Sequence, residues 1–323
     1  MLSKWLSAAL TLATFTTAPA VAQTYPNKPI RVFVPVPAGG FVDIVARRIA
    51  AAASPVMGQQ WIMDNKPGAN FIPVAAACRH AKPDGYSLCI FTTSTVTFNP
   101  HLVENLPYNA EKDFSPIIIL SMFIGGMVAS PKLNIKTVAE LKALVLAKPG
   151  TMNFGTYGPA SSANVFRHHV AERWNADIVE VPYKGANELL AALASGEIQM
   201  TYSALGSWAD NPGDTKGRIM VQDTKTRSPK LQDVPIYEEA GLGGFPMATW
   251  VGLFAPAGTP PAILEQVNKQ VGEAISKPDV TSFLIDRLLE PRVTGVKEFT
   301  EYVARERDET GKILRKFNVP KIK

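Results

Sequence analysis

The sequence is short of the residues that catalytic and metal sites use. Its 323 residues include only two cysteines and four histidines. His168 and His169 are adjacent, so on a helix they would point about 100° apart and could not share a metal ion. Dinucleotide-binding, P-loop and nucleophile-elbow patterns are missing from the chain. We therefore expect no catalytic residues, no metal and no cofactor.

The net charge of the chain is also small. Lysine and arginine number 33 against 28 aspartate and glutamate residues, a net charge of +5 that is spread thinly along the chain. A basic face for phosphate contacts is not recognisable, which argues against a nucleic-acid-binding protein.

At about 100–200 residues per domain, the length predicts two domains.

The chain lacks an apolar run of about 20 residues, the length needed to span a membrane. The N-terminal run from Trp5 to Phe15 is shorter; it follows Lys4 and precedes Ala20-Val21-Ala22. This order is typical of a secretory signal peptide that is cleaved before Gln23. A buried first helix is the alternative, but Pro19 makes a poor helix end. We expect residues 1–22 to be a signal peptide and the mature protein to be exported.

The two cysteines lie in neighbouring predicted elements. Cys78 belongs to a small-residue helix, Val74–Ala81, and Cys89 to the following strand, Tyr86–Thr92. A helix packed on its next strand brings such a pair within bridging range, and an oxidising compartment permits the bond. The alternative is two buried thiols that act as small hydrophobic side chains. The sequence leaves both possibilities open.

Strand and helix patterns alternate along the mature chain. A β-branched run, Ile30–Pro35, is followed by Gly39-Gly40 and by a helix that we expect to begin at Asp43 as its N-cap. A second series of strands and helices begins near the capping box of Thr137 and Glu140. Helices and strands that alternate in this way predict parallel sheets with right-handed crossovers. We therefore expect an α/β fold of two lobes, with residues 23–124 plus 250–323 in the first and residues 125–249 in the second.

The loops after the predicted strands are suited to anions. Glycines precede the first helix, where free N–H groups and the helix dipole converge, and hydroxyl groups crowd the later loops. In open α/β sheets, ligands bind at the carboxyl ends of strands. Ordinary loops between strands and helices have similar compositions, so this pattern alone does not establish a site. The candidate ligand-binding residues are Gly39, Gly40, Phe41, Val42, Asp43, Thr93, Ser94, Thr156, Tyr157, Ser161, Ser162, Tyr183, Lys184 and Ser203.

Taken together, these loops resemble those of the Bug receptors, the extracytoplasmic solute-binding proteins of tripartite tricarboxylate transporters. The matches run in order along almost the whole mature chain. They include Pro35–Asp43, Asn65–Ala69, Pro83–Tyr86, Val181–Gly185 and Trp250–Pro260.

The resemblance implies a periplasmic-binding-protein-like fold whose two lobes are each a mostly parallel sheet flanked by helices, joined by two crossings. It implies a small carboxylate held by the backbone of Gly39–Val42 on one side and by the hydroxyls of Thr156 and Ser161 on the other. Phe41, Tyr157 and Ser203 depart from the family's usual residues, and these departures favour a dicarboxylate or an aromatic carboxylate. Because arginine is missing from these loops, we expect the backbone N–H groups of Gly40–Val42 to hold the carboxylate.

The sequence thus predicts a monomeric periplasmic receptor that delivers a carboxylate to the membrane components of such a transporter. An exported α/β enzyme, either hydrolase-like or a decarboxylase, is the alternative. It is disfavoured because the hydroxyl-rich loops have no histidine close in sequence to serve as a base.

Overall fold

The computed structural model describes residues 25–158, 161–183, 186–208, 215–245 and 248–322. The predicted signal peptide therefore lies outside the described residues. Within these ranges, no helix has both the length and the apolar character that a membrane span requires.

The first sheet has six strands. The β-branched and aromatic residues of its first strand are mostly buried, as the sequence pattern predicts for a strand that is covered on both faces. The strand order is β11-β4-β10-β3-β1-β2. The strands are β1 (Ile30–Val34), β2 (Trp61–Asn65), β3 (Ser87–Thr92), β4 (Phe114–Phe123), β10 (Thr249–Pro256) and β11 (Leu289–Glu290).

Helices cover both faces of this sheet. Apolar side chains of α1, α7 and α8, such as Val45 and Val267, form one core, while Val74 of α2 and Phe299 of α9 belong to the core on the other face. The helices are α1 (Phe41–Met57), α2 (Ile72–Arg79), α3 (Asn99–Leu102), α7 (Pro261–Ile275), α8 (Pro278–Asp286) and α9 (Val296–Lys316).

The second sheet has five strands in the order β7-β6-β8-β5-β9. Its strands are β5 (Gly125–Ala129), β6 (Asn153–Thr156), β7 (Val179–Pro182), β8 (Met200–Ala204) and β9 (Arg218–Gln222). The α-helices of the described residues that accompany it are α4 (Val138–Ala147), α5 (Ser162–Trp174) and α6 (Ala186–Ser195).

Most strands of each sheet share one direction, in agreement with the expected fold class. The exceptions are β10, which runs antiparallel to β3 and β4, the two-residue β11, which runs antiparallel to β4, and β5, which runs antiparallel to β8 and β9. Strands β5 and β10 lie at the crossings, because the chain passes from Phe123 to Gly125 on its way out and re-enters the first sheet at Thr249. The lobe boundaries at residues 124/125 and 249/250 and the movement of the lobes as separate units stay predictions.

Local helix signals were predicted with mixed success. The capping box of Thr137 and Glu140 is confirmed. Ser161 is the N-cap of α5, and its hydroxyl accepts from the Asn164 N–H. The N-cap prediction for Asp43 is wrong, since Gly40 caps α1 and Asp43 lies in the first turn. The Thr/Ser-rich segment after β3 is a π-helical turn, Ser94–Phe98.

The structure settles the cysteine question. Cys78 of α2 and Cys89 of β3 form a disulfide with their Cα atoms 6.0 Å apart. Both residues are fully buried, so the bond ties helix to strand inside the core.

Removing this disulfide is expected to lower the free energy of unfolding by about 3 kcal/mol, because the bond closes a loop of roughly a dozen residues in the unfolded chain. The test compares urea unfolding of the native protein with that of the Cys78→Ala/Cys89→Ala variant, each with and without a reducing agent. The reducing agent should weaken only the native protein. A native protein as stable reduced as oxidised would contradict this expectation.

Candidate functional site

The carboxyl edges of the two sheets meet at the chain crossings. Strand β4 ends at this edge of the first sheet, and the next strand, β5, begins at Gly125, which pairs with Ala204 at the end of β8. At the return crossing, Thr249 pairs with Phe123. The loops that follow β1 and β3 therefore share one edge, and those that follow β6, β7 and β8 share the edge across the crossing. The topology thus brings the predicted site residues into two groups, one on each lobe.

On the first lobe, Asp43 organises the glycine loop. Its buried carboxylate accepts hydrogen bonds from the Gly39 N–H, from Arg47 Nε and from Asn65 Nδ2, each at 2.8 Å. Burial raises the pKa of Asp43, but the hydrogen bonds from Arg47, Asn65 and Gly39 outweigh it and leave the pKa below its ordinary value. Asp43 therefore stays ionised and shapes the loop. Its predicted contact with a ligand stays a prediction.

The N–H groups of the loop are not equivalent. Gly39 has a φ of +80°, a conformation natural to glycine, and the Gly40 N–H donates to the Pro37 carbonyl at 3.0 Å. The next N–H groups, those of Phe41 and Val42, open α1 and have no acceptor within the helix. Of the donors predicted over Gly40–Val42, these two are the ones that the helix geometry leaves for an anion.

Thr93 and Ser94 follow β3 beside the glycine loop. The Thr93 hydroxyl accepts a hydrogen bond from the Trp250 N–H at 2.8 Å and lies 3.3 Å from the Trp250 carbonyl. It therefore joins the end of β3 to the start of β10. Ser94 is half-buried and begins the π-helical turn.

On the second lobe, the loop after β6 is held by its own hydroxyl groups. The buried Thr156 hydroxyl donates to Glu180 Oε1 at 2.7 Å and accepts from the Gly158 N–H at 3.0 Å. Ser161 donates to the Gly158 carbonyl at 2.7 Å and accepts from the Asn164 N–H at 3.2 Å. These bonds fix the shape of the loop, and contact of either hydroxyl with a ligand stays a prediction. The half-buried Ser162 is the first residue of α5.

Two tyrosines lie at the same edge. Tyr157 is 44% exposed. Partial burial raises the pKa of Tyr157, while the nearby Ser203 hydroxyl opposes that shift. The Tyr183 hydroxyl donates to Glu197 Oε1 at 2.8 Å, and burial together with this carboxylate raises its pKa to about 12. Lys184, predicted beside Tyr183, lies outside the described residues.

Phe41 connects the two groups. Its ring contacts that of Phe123 at the first crossing, with the centroids 5.7 Å apart. A Cβ placed on Gly206, just after β8, would lie 2.7 Å from the Phe41 ring. The sequence predicted Phe41 as a ligand-binding residue, which stays a prediction, and the structure shows that its ring packs at the junction of the lobes.

The sequence reasoning missed three residues that support the site. Asn65 donates both to Asp43 and to the Val36 carbonyl at 2.8 Å, while Arg47 and Glu180 hold Asp43 and Thr156. The spacing of Asp43 and Arg47, four residues apart on a helix, was a usable signal for the first pair. Asn65 and Glu180 reach the site only through sheet pairing, which no local pattern reveals.

Comparison with known proteins decides the family. The family model described as tripartite tricarboxylate transporter family receptor matches residues 45–319. The chain belongs to this family. Its members are solute-binding receptors and not enzymes, so the hydrolase or decarboxylase alternative is set aside.

Two sequence relatives illustrate the match. The UPF0065 protein in the tcbD-tcbE intergenic region of a Pseudomonas species is 31% identical over 85% of this chain and 82% of its own length. Protein BugT of Bordetella pertussis is 28% identical over 82% of both chains.

Solved structures show the same two-lobed fold. A Rhodopseudomonas palustris protein with adipate is 25% identical, with a TM-score of 0.84 over 92% of this chain and all of its own. MatC from the same species, with bound malate, is 27% identical, with a TM-score of 0.77 over 90% of this chain and all of its own. A further structure described as a periplasmic transporter is 30% identical, with a TM-score of 0.83 over 92% of this chain and 99% of its own.

Proposed function

We propose that this protein is a monomeric periplasmic receptor that captures a small carboxylate between its two lobes and delivers it to the membrane components of a tripartite tricarboxylate transporter. In this proposal residues 1–22 direct export, and the lobes, residues 23–124 plus 250–323 and residues 125–249, close on the ligand by a hinge motion. Family membership supports the receptor role.

The chemical class of the ligand is inferred from the N-terminus of α1. The N–H groups of Phe41 and Val42 lie at the positive end of a 17-residue helix, and the Asp43 network holds the preceding loop in place. The Arg47 guanidinium is already bonded to Asp43 and to Asn65. We therefore assign the carboxylate to neutral backbone donors rather than to an arginine fork.

The residues on the other side of the lobe junction indicate the chemical character of the rest of the ligand. Tyr157 and Ser203 offer a half-exposed ring and hydroxyl groups, and Phe41 adds an apolar ring on the first lobe. Adipate and malate, seen in two related structures, are both dicarboxylates. A dicarboxylate or an aromatic carboxylate suits this mixture of ring surface and hydroxyls.

A thermal-shift screen of the mature protein tests the proposal. Adipate, malate and benzoate are each paired with the neutral amide of the same skeleton, which has the same shape without the charge. At 100-fold over Kd a true ligand should add about 2.7 kcal/mol to the stability of the folded protein. At least one acid should raise the melting temperature while its amide does not. Equal shifts for an acid and its amide would contradict carboxylate recognition.

A further inference from the structure

The end of α9, a helix of the first lobe, contacts α5 of the second lobe. One side of α5, with Phe166 and Val170, packs in the core of the second sheet. The side that contacts α9 carries Val165, His168 and Glu172, which are three and four residues apart and therefore lie along one face of the helix. Helix α5 thus has one face inside its own lobe and another against the first lobe.

An ion pair and a ring stack join the two helices. Lys316 Nζ lies 2.8 Å from each carboxylate oxygen of Glu172. The ring of Phe317, the residue that directly follows α9, stacks on the ring of His168, with the centroids 5.4 Å apart and the planes 14° apart. Lys316 and Phe317 belong to the first lobe, whereas Glu172 and His168 belong to the second. Both contacts therefore span the lobes.

An apolar cluster accompanies these contacts. Val165 of α5 is buried in it together with Leu314 of α9. Phe98 and Leu102, which are also buried, complete the cluster from the first lobe. Moving α5 away from α9 would expose these side chains to water, which is unfavourable in proportion to the apolar area exposed. The cluster therefore favours the angle between the lobes that is seen here.

The first lobe fixes the α9 side of the contact. His101 Nε2 lies 2.8 Å from the Arg307 carbonyl and joins α3 to the middle of α9. Beyond Phe317 the chain returns to the first lobe, where the Ile322 N–H donates to the Leu102 carbonyl at 2.7 Å. The segment that contacts α5 is thus attached to the first lobe on both sides. A change in the angle between the lobes must therefore act on its contact with α5.

We propose that the end of α9, Leu314 to Phe317, is a latch that favours the lobe angle seen here over a wider one. The latch rests on the hinge motion of the proposed function but not on the identity of the ligand. It is a connection between the lobes in addition to the two chain crossings, so breaking it leaves the chain connected and lets the lobes separate. Because α5 begins at the predicted ligand loop of Ser161, the latch also holds that loop toward the first lobe.

Small-angle scattering of the ligand-free mature protein tests the latch from both of its sides. Lys316→Ala/Phe317→Ala removes the ion pair and the ring stack from the α9 side, and His168→Ala/Glu172→Ala removes the same two contacts from the α5 side. Each variant should have a larger radius of gyration than the native protein, and by the same amount. Combining all four substitutions should add nothing further, because both variants break the same contacts.

Phe283→Ala/Lys297→Ala is the matched control. It also removes a half-buried ring, which contacts Arg287, and an ion pair, that of Lys297 with Glu301, but these contacts lie within the first lobe. The control should keep the native radius of gyration.

Three results would overturn the latch: native radii in both latch variants, an increase from one side only, or a combined effect equal to the sum of the two. An increase in the control as large as theirs would overturn it as well. If one latch variant does not fold, as judged by circular dichroism, the other decides by comparison with the control. Because ligand is absent throughout, these outcomes are independent of the carboxylate screen.

Discussion

Phe41→Pro is expected to weaken carboxylate binding by about ten- to a hundredfold, since a hydrogen bond to a charged group contributes roughly 1.5–3 kcal/mol. The substitution removes one of the two N–H groups that open α1. Proline fits the first position of a helix, and the preceding Gly40, with a ψ of 157°, has the extended conformation that proline requires before it. The fold should therefore tolerate the change.

Phe41→Ala is the matched control. It removes the same ring, and with it the contact to Phe123, but keeps the backbone N–H. Calorimetric titration of both variants with a carboxylate found in the thermal-shift screen isolates the contribution of the N–H group. If alanine and proline weaken binding equally, the ring is responsible and the assignment to the helix N-terminus is wrong.

Asp43→Ala is expected to lower the free energy of unfolding by about 3–5 kcal/mol, because two charge-assisted hydrogen bonds are lost and their donors are left without an acceptor. These donors are the Gly39 N–H and one N–H of Asn65 Nδ2, whose other N–H keeps its bond to the Val36 carbonyl. The bond from Arg47 adds little to this figure, since half of that side chain is exposed to solvent. Ligand affinity should fall as well, because the loop before α1 is no longer held.

The pH dependence of the Asp43 effect has a defined sign. The pKa of Asp43 is lower in the folded protein than its ordinary value of 3.8. Such a group stabilises the fold above its ordinary pKa, and the stabilisation is lost as the pH falls through the lower, folded value. The stability difference between the native protein and Asp43→Ala should therefore be largest near neutral pH and shrink in strong acid.

Glu140→Ala provides the comparison for Asp43. Glu140 occupies the same third position of its helix and accepts backbone hydrogen bonds from Lys136 at 2.6 Å and Thr137 at 3.2 Å, but it is exposed. Urea unfolding should show a much smaller loss for Glu140→Ala. Equal losses for the two variants would mean that burial of the Asp43 network does not matter to stability.

Local chemistry accounts for what could be predicted of the fold. A capping box needs only residues three apart, so Thr137 and Glu140 were readable directly. The strand predicted at Tyr86–Thr92, which is β3, depends equally on neighbours in the chain. Asp43 was misassigned because a glycine can also cap a helix, and the acid three residues later then bonds back to the loop.

The partners of the site residues could not be predicted, because they are distant in the chain. Asn65 is 22 residues from Asp43, and Glu180 is 24 residues from Thr156. Thr156 and Glu180 meet because the parallel strands β6 and β7 pair. Asn65 reaches Asp43 because β2 pairs with β1, the strand that leads into α1. Such contacts between distant residues decide whether a hydroxyl is free for a ligand or already hydrogen-bonded. Residue type alone therefore identified the loops, but not which of their groups are available to a ligand.

The sequence by itself determined the succession of strands and helices, the two lobes and the family, since these rest on local periodicity and on motifs in a fixed order. Only the tertiary structure decided the Cys78–Cys89 bond, the antiparallel direction of β5 and β10, and the contact of α9 with α5. Each of these depends on how elements far apart in the chain pack against one another. Local propensity cannot predict that packing. The free energy of the packing comes from burial and hydrogen bonds that exist only once the sheets have formed.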